Sequence, residues 1–199
     1  MTFFFPGETS RLLDRSGLDD VDWVALGGPD ADRVPSALRT VAPTEDLGDP
    51  YLWDQAHIYL EKVGGYAYEE QLVPTPVTEH LIPFFEVVVL DPEVYDRDAL
   101  VECLREIALS HRRAPHAQPG LGLALEDLVP FAVGLFADPD RRVRQEAFQL
   151  VTELPLKGRA TIDTVVGALE DRVAADEPEA DPGAVEALTE LRRRHGTGR

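Results

Sequence analysis

Residues 137–154 read ADPDRRVRQEAFQLVTEL. After Asp138-Pro139, the apolar residues Val143, Ala147, Leu150 and Val151 recur at helical spacing and define one buried face. Aspartate caps helix starts and proline is tolerated at a first helical position, so the dipeptide predicts a turn that leads into a helix. The same dipeptide occurs at Asp49-Pro50, Asp91-Pro92 and Asp181-Pro182, giving intervals of 42, 47 and 43 residues along the chain. That is the period of helical-hairpin repeats, with the Asp-Pro marking the turn inside each hairpin.

Working outward, each Asp-Pro sits between two apolar stripes. Val77, Leu81, Ile82, Phe85, Val88 and Val89 precede Asp91, and Leu100, Val101, Leu104, Ile107 and Ala108 follow it. Leu128, Phe131, Ala132 and Leu135 precede Asp138; Ile162, Val165, Val166 and Leu169 precede Asp181, and Val185, Leu188 and Leu191 follow it. The first unit is less regular, with helices predicted over Val34–Val41 and Tyr51–Val63, the latter ended by Gly64-Gly65. A short helix over Leu18–Leu26, with Phe3–Phe5 against it, would cap the open end of the stack. The run FFEVVVL at 84–90 has high β-propensity, but its place before a turn favours a helix. Gly120-Leu121-Gly122 reads as a linker. The expected fold is all-α, a single α-solenoid domain: an irregular cap over 1–30 and helical hairpins over 31–64, 74–112, 124–155 and 159–196.

The 137–154 stretch resembles the second half of a HEAT repeat, with an Asp, a Val-Arg pair ending six residues on, a small residue and then aliphatics. The resemblance implies that Asp138 and Arg144 belong to a ladder of contacts between neighbouring units, a structural role. The spacing recurs at Asp91 and Arg97 but not at Asp49 and Gln55 or at Asp181 and Ala187, so the ladder is expected to fail in the first and fourth units. Leu18, Asp22, Trp23, Val34, Pro35, Leu38, Leu81, Pro83 and Phe84 are further similar to small HEAT-like proteins of high-GC Gram-positive bacteria, some of which lie beside toxin genes. Those proteins often carry His-x-Gly after the first unit, where this chain has VGGYAYEEQLVPTPV. The resemblance implies a solenoid and suggests immunity to a toxin.

Charge narrows the function. With 37 acidic and 19 basic residues the net charge is −18 and the pI near 4.5, which opposes approach to phosphate backbones and anionic membranes. Residues 1–100 carry 20 acids and 6 bases, against 17 and 13 in 101–199, and 12 of the 15 aromatics precede residue 100. Recognition is therefore expected in the first half. One cysteine and no apolar leader predict a reduced, cytoplasmic chain without a membrane segment, and self-repulsion predicts a monomer when free. Walker, nucleophile-elbow and zincin motifs are absent. No histidine precedes a glutamate, so the resemblance does not extend to HEAT-like iron hydroxylases, and the charge opposes HEAT-like DNA glycosylases.

Two candidate sites remain. Asp54, His57 and Glu61 share one face of the predicted 51–63 helix, where two carboxylates flanking an imidazole would bind a metal or shuttle a proton if Glu79 or His80 approached from the next helix. The plain alternative is a polar face in which His57 bonds a carboxylate; no cofactor is expected. Tyr66, Tyr68, Glu69 and Glu70 combine aromatic anchors with negative charge and, with Asp54 and Glu61, would hold a basic protein. His111, His116 and His195 are expected in solvent, Cys103 in the core without a histidine partner, and Ala174–Ala184 as a solvated acidic loop. The expected function is non-enzymatic: an immunity or inhibitor protein sequestering a basic partner such as a toxin, or a mimic of DNA that occupies a nucleic-acid-binding protein. The alternatives are an assembly scaffold and an enzyme or metal protein using the Asp54, His57 and Glu61 face.

Overall fold

A computed structural model describes residues 8–42, 50–65, 73–92, 94, 96–175 and 181–196. Among them the chain is all-helical and contains no strand. The helices are α1 (Glu8–Arg15), α2 (Trp23–Gly27), α3 (Val34–Val41), α4 (Pro50–Gly64), α5 (Pro76–Val89), α6 (Arg97–Arg113), α7 (Leu121–Asp127), α8 (Val129–Gly134), α9 (Arg141–Glu153), α10 (Arg159–Ala175) and α11 (Pro182–His195), with 3-10 turns at Leu18–Asp20, Pro29–Arg33 and Leu135–Ala137.

Burial explains why the β-prone run is helical. On α5 the buried residues are Val77, Thr78, Leu81, Ile82, Phe84, Phe85, Val88 and Val89, a helical stripe, while Pro83 lies on the exposed face. There its missing N–H costs one bond without breaking the helix. Tertiary packing of the stripe overrides the local propensity of Val and Phe. Helix α3 packs on α4, α5 on α6, α8 on α9 and α10 on α11, each a pair of neighbours in sequence. Across pairs, α6 packs on α9 and α9 on α11. One continuous core of buried residues runs from Leu13 to Leu191.

Buried ion pairs tie successive pairs together. Arg97, at the start of α6, reaches Asp138 with two bonds of 2.5 and 3.2 Å and anchors its Nε on the Val89 carbonyl at 2.7 Å. Arg144 of α9 reaches Asp181 at 3.0 and 3.3 Å, and Arg172 of α10 adds bonds of 2.8 and 3.1 Å to the same carboxylate. The arginine of one unit thus meets the aspartate of the next. Burial alone would raise the Asp181 carboxyl, but the hydrogen bonds from Arg144 and Arg172 carry it below the usual range.

Several expectations need correction. The ladder does extend into the fourth unit, because Asp181 receives Arg144 whether or not its own unit supplies an arginine. Asp181 is 5% exposed, so it is no part of a solvated loop; 176–180 lie outside the described residues. Asp91 and Asp138 are not the helix caps that the sequence implied, since α6 and α9 start at caps Asp96 and Asp140; Asp181 does hold the cap position of α11, with Pro182 first in the helix, but its side chain is committed to arginines, and Asp49 lies outside the described residues. Gly120-Leu121-Gly122 is no linker, since Leu121 and Gly122 are buried in the first turn of α7. The first helix of the third pair is broken at Leu128, two residues before Pro130, which has no N–H to continue the helical bonding. At the N-terminus the expected 18–26 helix is split into the 3-10 turn and α2, and α1 precedes it; Phe3–Phe5 lie outside the described residues. A side chain at Gly27 would meet Val77 at 2.6 Å and Ala31 at 2.8 Å, so this glycine lets α2 lie directly on α5.

Candidate functional site

Helix α4 buries Trp53, Ala56 and Leu60 at helical spacing and ends at Gly65, whose φ of +69° suits glycine. Its last carbonyls are satisfied from α5: the Thr75 hydroxyl donates to Val63 at 2.8 Å, the Thr75 N–H to Gly64 at 3.2 Å, and the Thr78 hydroxyl also to Gly64. Tyr66, Tyr68, Glu69 and Glu70, between these anchors, lie outside the described residues.

Of the Asp54, His57 and Glu61 trio, the structure brings two together. His57 Nε2 is 3.9 Å from Glu61 Oε1, beyond a hydrogen bond, and Asp54 is exposed. The imidazole instead meets Cys103 Sγ of α6 at 2.8 Å and lies against the Trp53 ring with centroids 5.0 Å apart. Cys103 is in the core as expected, but the expectation that it has no histidine partner was wrong. Burial lowers the His57 pKa, outweighing the attraction of Glu102, Asp54 and Asp96. Glu79 and His80 do not join this group: His80 Nδ1 faces the Pro76 carbonyl at 2.9 Å, and Glu79 lies where a side chain at Gly120 would be. Among the described residues no cluster of three His, Cys, Asp or Glu is arranged to hold a metal ion. A thiol beside an imidazole is the arrangement of a cysteine nucleophile. Here, however, the sulfur is 2% exposed between two packed helices.

The stronger concentration of chemistry lies on the second helices of the later pairs. Asp98, Glu102 and Glu106 fall at i, i+4 and i+8 on α6, one face, opposite Glu146 and Gln149 of α9. The guanidinium of Arg105 stands among the three glutamates. Arg105 donates to Glu102 at 2.7 Å and to Gln149, and lies 3.4 Å from Glu106 and 3.6 Å from Glu146. Neither Glu106 oxygen accepts a hydrogen bond, although the side chain is 5% exposed; Asp98 Oδ1 and Glu146 Oε2 are likewise buried without a donor. The cation nearest Asp98 Oδ1 is Arg142 at 3.6 Å. Burial pushes the Asp98, Glu106 and Glu146 carboxyls above their ordinary range against the pull of these arginines. The four-residue spacing of the α6 acids was visible in the sequence; the facing acids of α9 were not, because pairing across 40 residues is set by the fold.

The remaining histidines divide. His116 is exposed as expected, whereas His111 is half-buried with Nδ1 lacking a hydrogen-bond partner, and burial lowers its pKa. His195 is partly covered at the end of α11. The basic run Arg192–Arg194 pairs within the molecule, with Glu170, Glu190 and Glu153. No helix among the described residues is long and apolar enough to cross a membrane. No protein-family model matches the chain, and no curated protein matches it.

Proposed function

We propose that the chain is a non-enzymatic HEAT-like solenoid of four helical hairpins that sequesters a basic protein, acting as an immunity or inhibitor protein. The pairing of α3 with α4, α5 with α6, α8 with α9 and α10 with α11, and the arginine-to-aspartate ladder between pairs, support the solenoid reading. One observation carries the functional reading: Glu102, Glu106 and Glu146 share the Arg105 guanidinium on the face of α6 and α9. One guanidinium cannot neutralise three carboxylates, and Glu102, with its side chain 52% exposed, leaves an acceptor that an arginine or lysine from a partner would pair with. The net charge of −18 would speed encounter with such a partner and make it sensitive to salt. Asp54 and Glu61, on the neighbouring second helix, extend the acidic surface toward the first half.

The test is affinity capture from host lysate at low and moderate salt, with the wild type beside a Glu102→Gln/Glu146→Gln variant. The reading expects one dominant basic protein, released by salt, lost by the variant, and inhibited when bound to the wild type. Equal capture by the variant would remove this face; several partners bound without inhibition would make the chain a scaffold instead.

A further inference from the structure

Away from the acidic face, a groove of about 340 Å³ runs between α3 and α4, lined on one side by Arg33, Ser36 and Thr40 and on the other by Leu52, Tyr59 and Lys62. Its volume lies at the small end of the roughly 300–1,000 Å³ range of small-molecule sites, too small for a helix or strand. Arg33, just before α3, lies over Tyr59 in the second half of α4, so the residues sort by end. Arg33 and Lys62 flank Tyr59 at one end, while Thr40 and Leu52 lie at the other.

Two features set this groove apart. In a chain of net charge −18, most described arginines are held by carboxylates, yet among the described residues neither Arg33 nor Lys62 has an ion-pair partner. The cationic end is also organised in advance. The Tyr59 hydroxyl donates to the Asp30 carbonyl, fixing the ring against the turn before α3, and the Arg33 guanidinium lies over that ring, 5.2 Å from its centroid. A cation already placed loses little freedom when it takes an anion. The groove also offers apolar surface in water, with Ile58, beside Tyr59, 41% exposed and Leu52, at the far end, 55% exposed.

We propose that the groove binds a small amphipathic carboxylate, its anionic head between Arg33 and Lys62 and its apolar body along Leu52 and Ile58. A monoanion fits better than a phosphate dianion, because Asp30 and Asp32 stand beside Tyr59 and, among the described residues, two cations face the groove. The proposal does not rest on the acidic face or on a protein partner.

Calorimetric titration with octanoate, 1-octanol and octylammonium separates head from tail. Octanoate is expected to bind one molecule per chain, with octanol and octylammonium at least about ten-fold weaker. Arg33→Gln/Lys62→Gln should abolish octanoate binding with the circular dichroism unchanged, and Arg33→Lys should retain part of it. The proposal is overturned if octanoate does not bind at millimolar concentration, if octanol binds as well as octanoate, or if the folded double variant binds octanoate like the wild type.

Discussion

Asp138 carries three separate bonds, two from Arg97 and one, at 2.9 Å, from the Asp140 N–H, with its side chain only 8% exposed. Removing it leaves a buried guanidinium without its carboxylate, and breaking a buried pair from one side costs about 3–5 kcal/mol. Asp138→Ala should therefore show that loss in urea unfolding, whereas Arg192→Ala, which breaks a pair whose partners are 42% and 50% exposed, should stay within about 1 kcal/mol. A loss under about 1 kcal/mol at Asp138 would mean that the ladder is ornament on a structure held by its core. The sequence carried part of this: the Asp-to-Arg spacing pointed to the ladder. The bonding of Arg144 to Asp181 was hidden because a ladder runs from the arginine of one unit to the aspartate of the next, so Asp181 needs no arginine six residues on, where Ala187 stands. The His57 to Cys103 contact was hidden for a related reason, since two residues 46 apart meet only through the way α4 crosses α6.

Helix boundaries were legible where a stripe and a stop signal agreed. Val34–Val41 matches α3, and the predicted 51–63 segment lies inside α4, whose end at Gly64 follows from the glycine pair. They were illegible where proline or glycine had two readings. Pro130 splits one stripe into α7 and α8, and Gly122 enters a helix because its bare backbone packs against His111, where a Cβ would sit 3.3 Å from the imidazole Nε2. Gly167 is the opposite case. It lies within α10, and a Cβ built there meets nothing within 4 Å. Glycine inside a helix gives up backbone entropy that alanine does not, so Gly167→Ala should stabilise the protein by about 0.5–1 kcal/mol. The check is the urea midpoint at constant slope; a lower midpoint would reveal a packing partner for α10 on that side.

At the scale of the whole molecule, acid held without enough base makes stability depend on pH. Burial raises the carboxyls of Glu86, Asp98, Glu106 and Glu146, so the folded chain holds those protons more tightly than the unfolded chain. Their contribution is complete below the unfolded values near about 4 and is lost as pH rises through the raised folded values. His57 and His111, lowered by burial, act in the other sense and favour the fold above about 6.5. Asp181, held low by Arg144 and Arg172, and Glu190, pulled down to about 2 by Arg193 and Arg194, favour the fold until pH drops through their folded values. Self-repulsion from the charge of −18 also eases on mild acidification. The loss of Asp181 and Glu190 as they take up protons should lower the thermal midpoint below about pH 3. Glu106→Gln isolates the local part. At pH 7 it removes a charge whose oxygens accept no hydrogen bond, so its midpoint should exceed the wild type's by a few degrees, and the gap should close by about pH 3.5, where the native carboxyl is already protonated. Thermal unfolding followed by circular dichroism at both pH values decides it: a variant less stable than the wild type at pH 7 would mean that Arg105 satisfies Glu106 fully, and the case for a cation supplied by a partner on that face would fall with it.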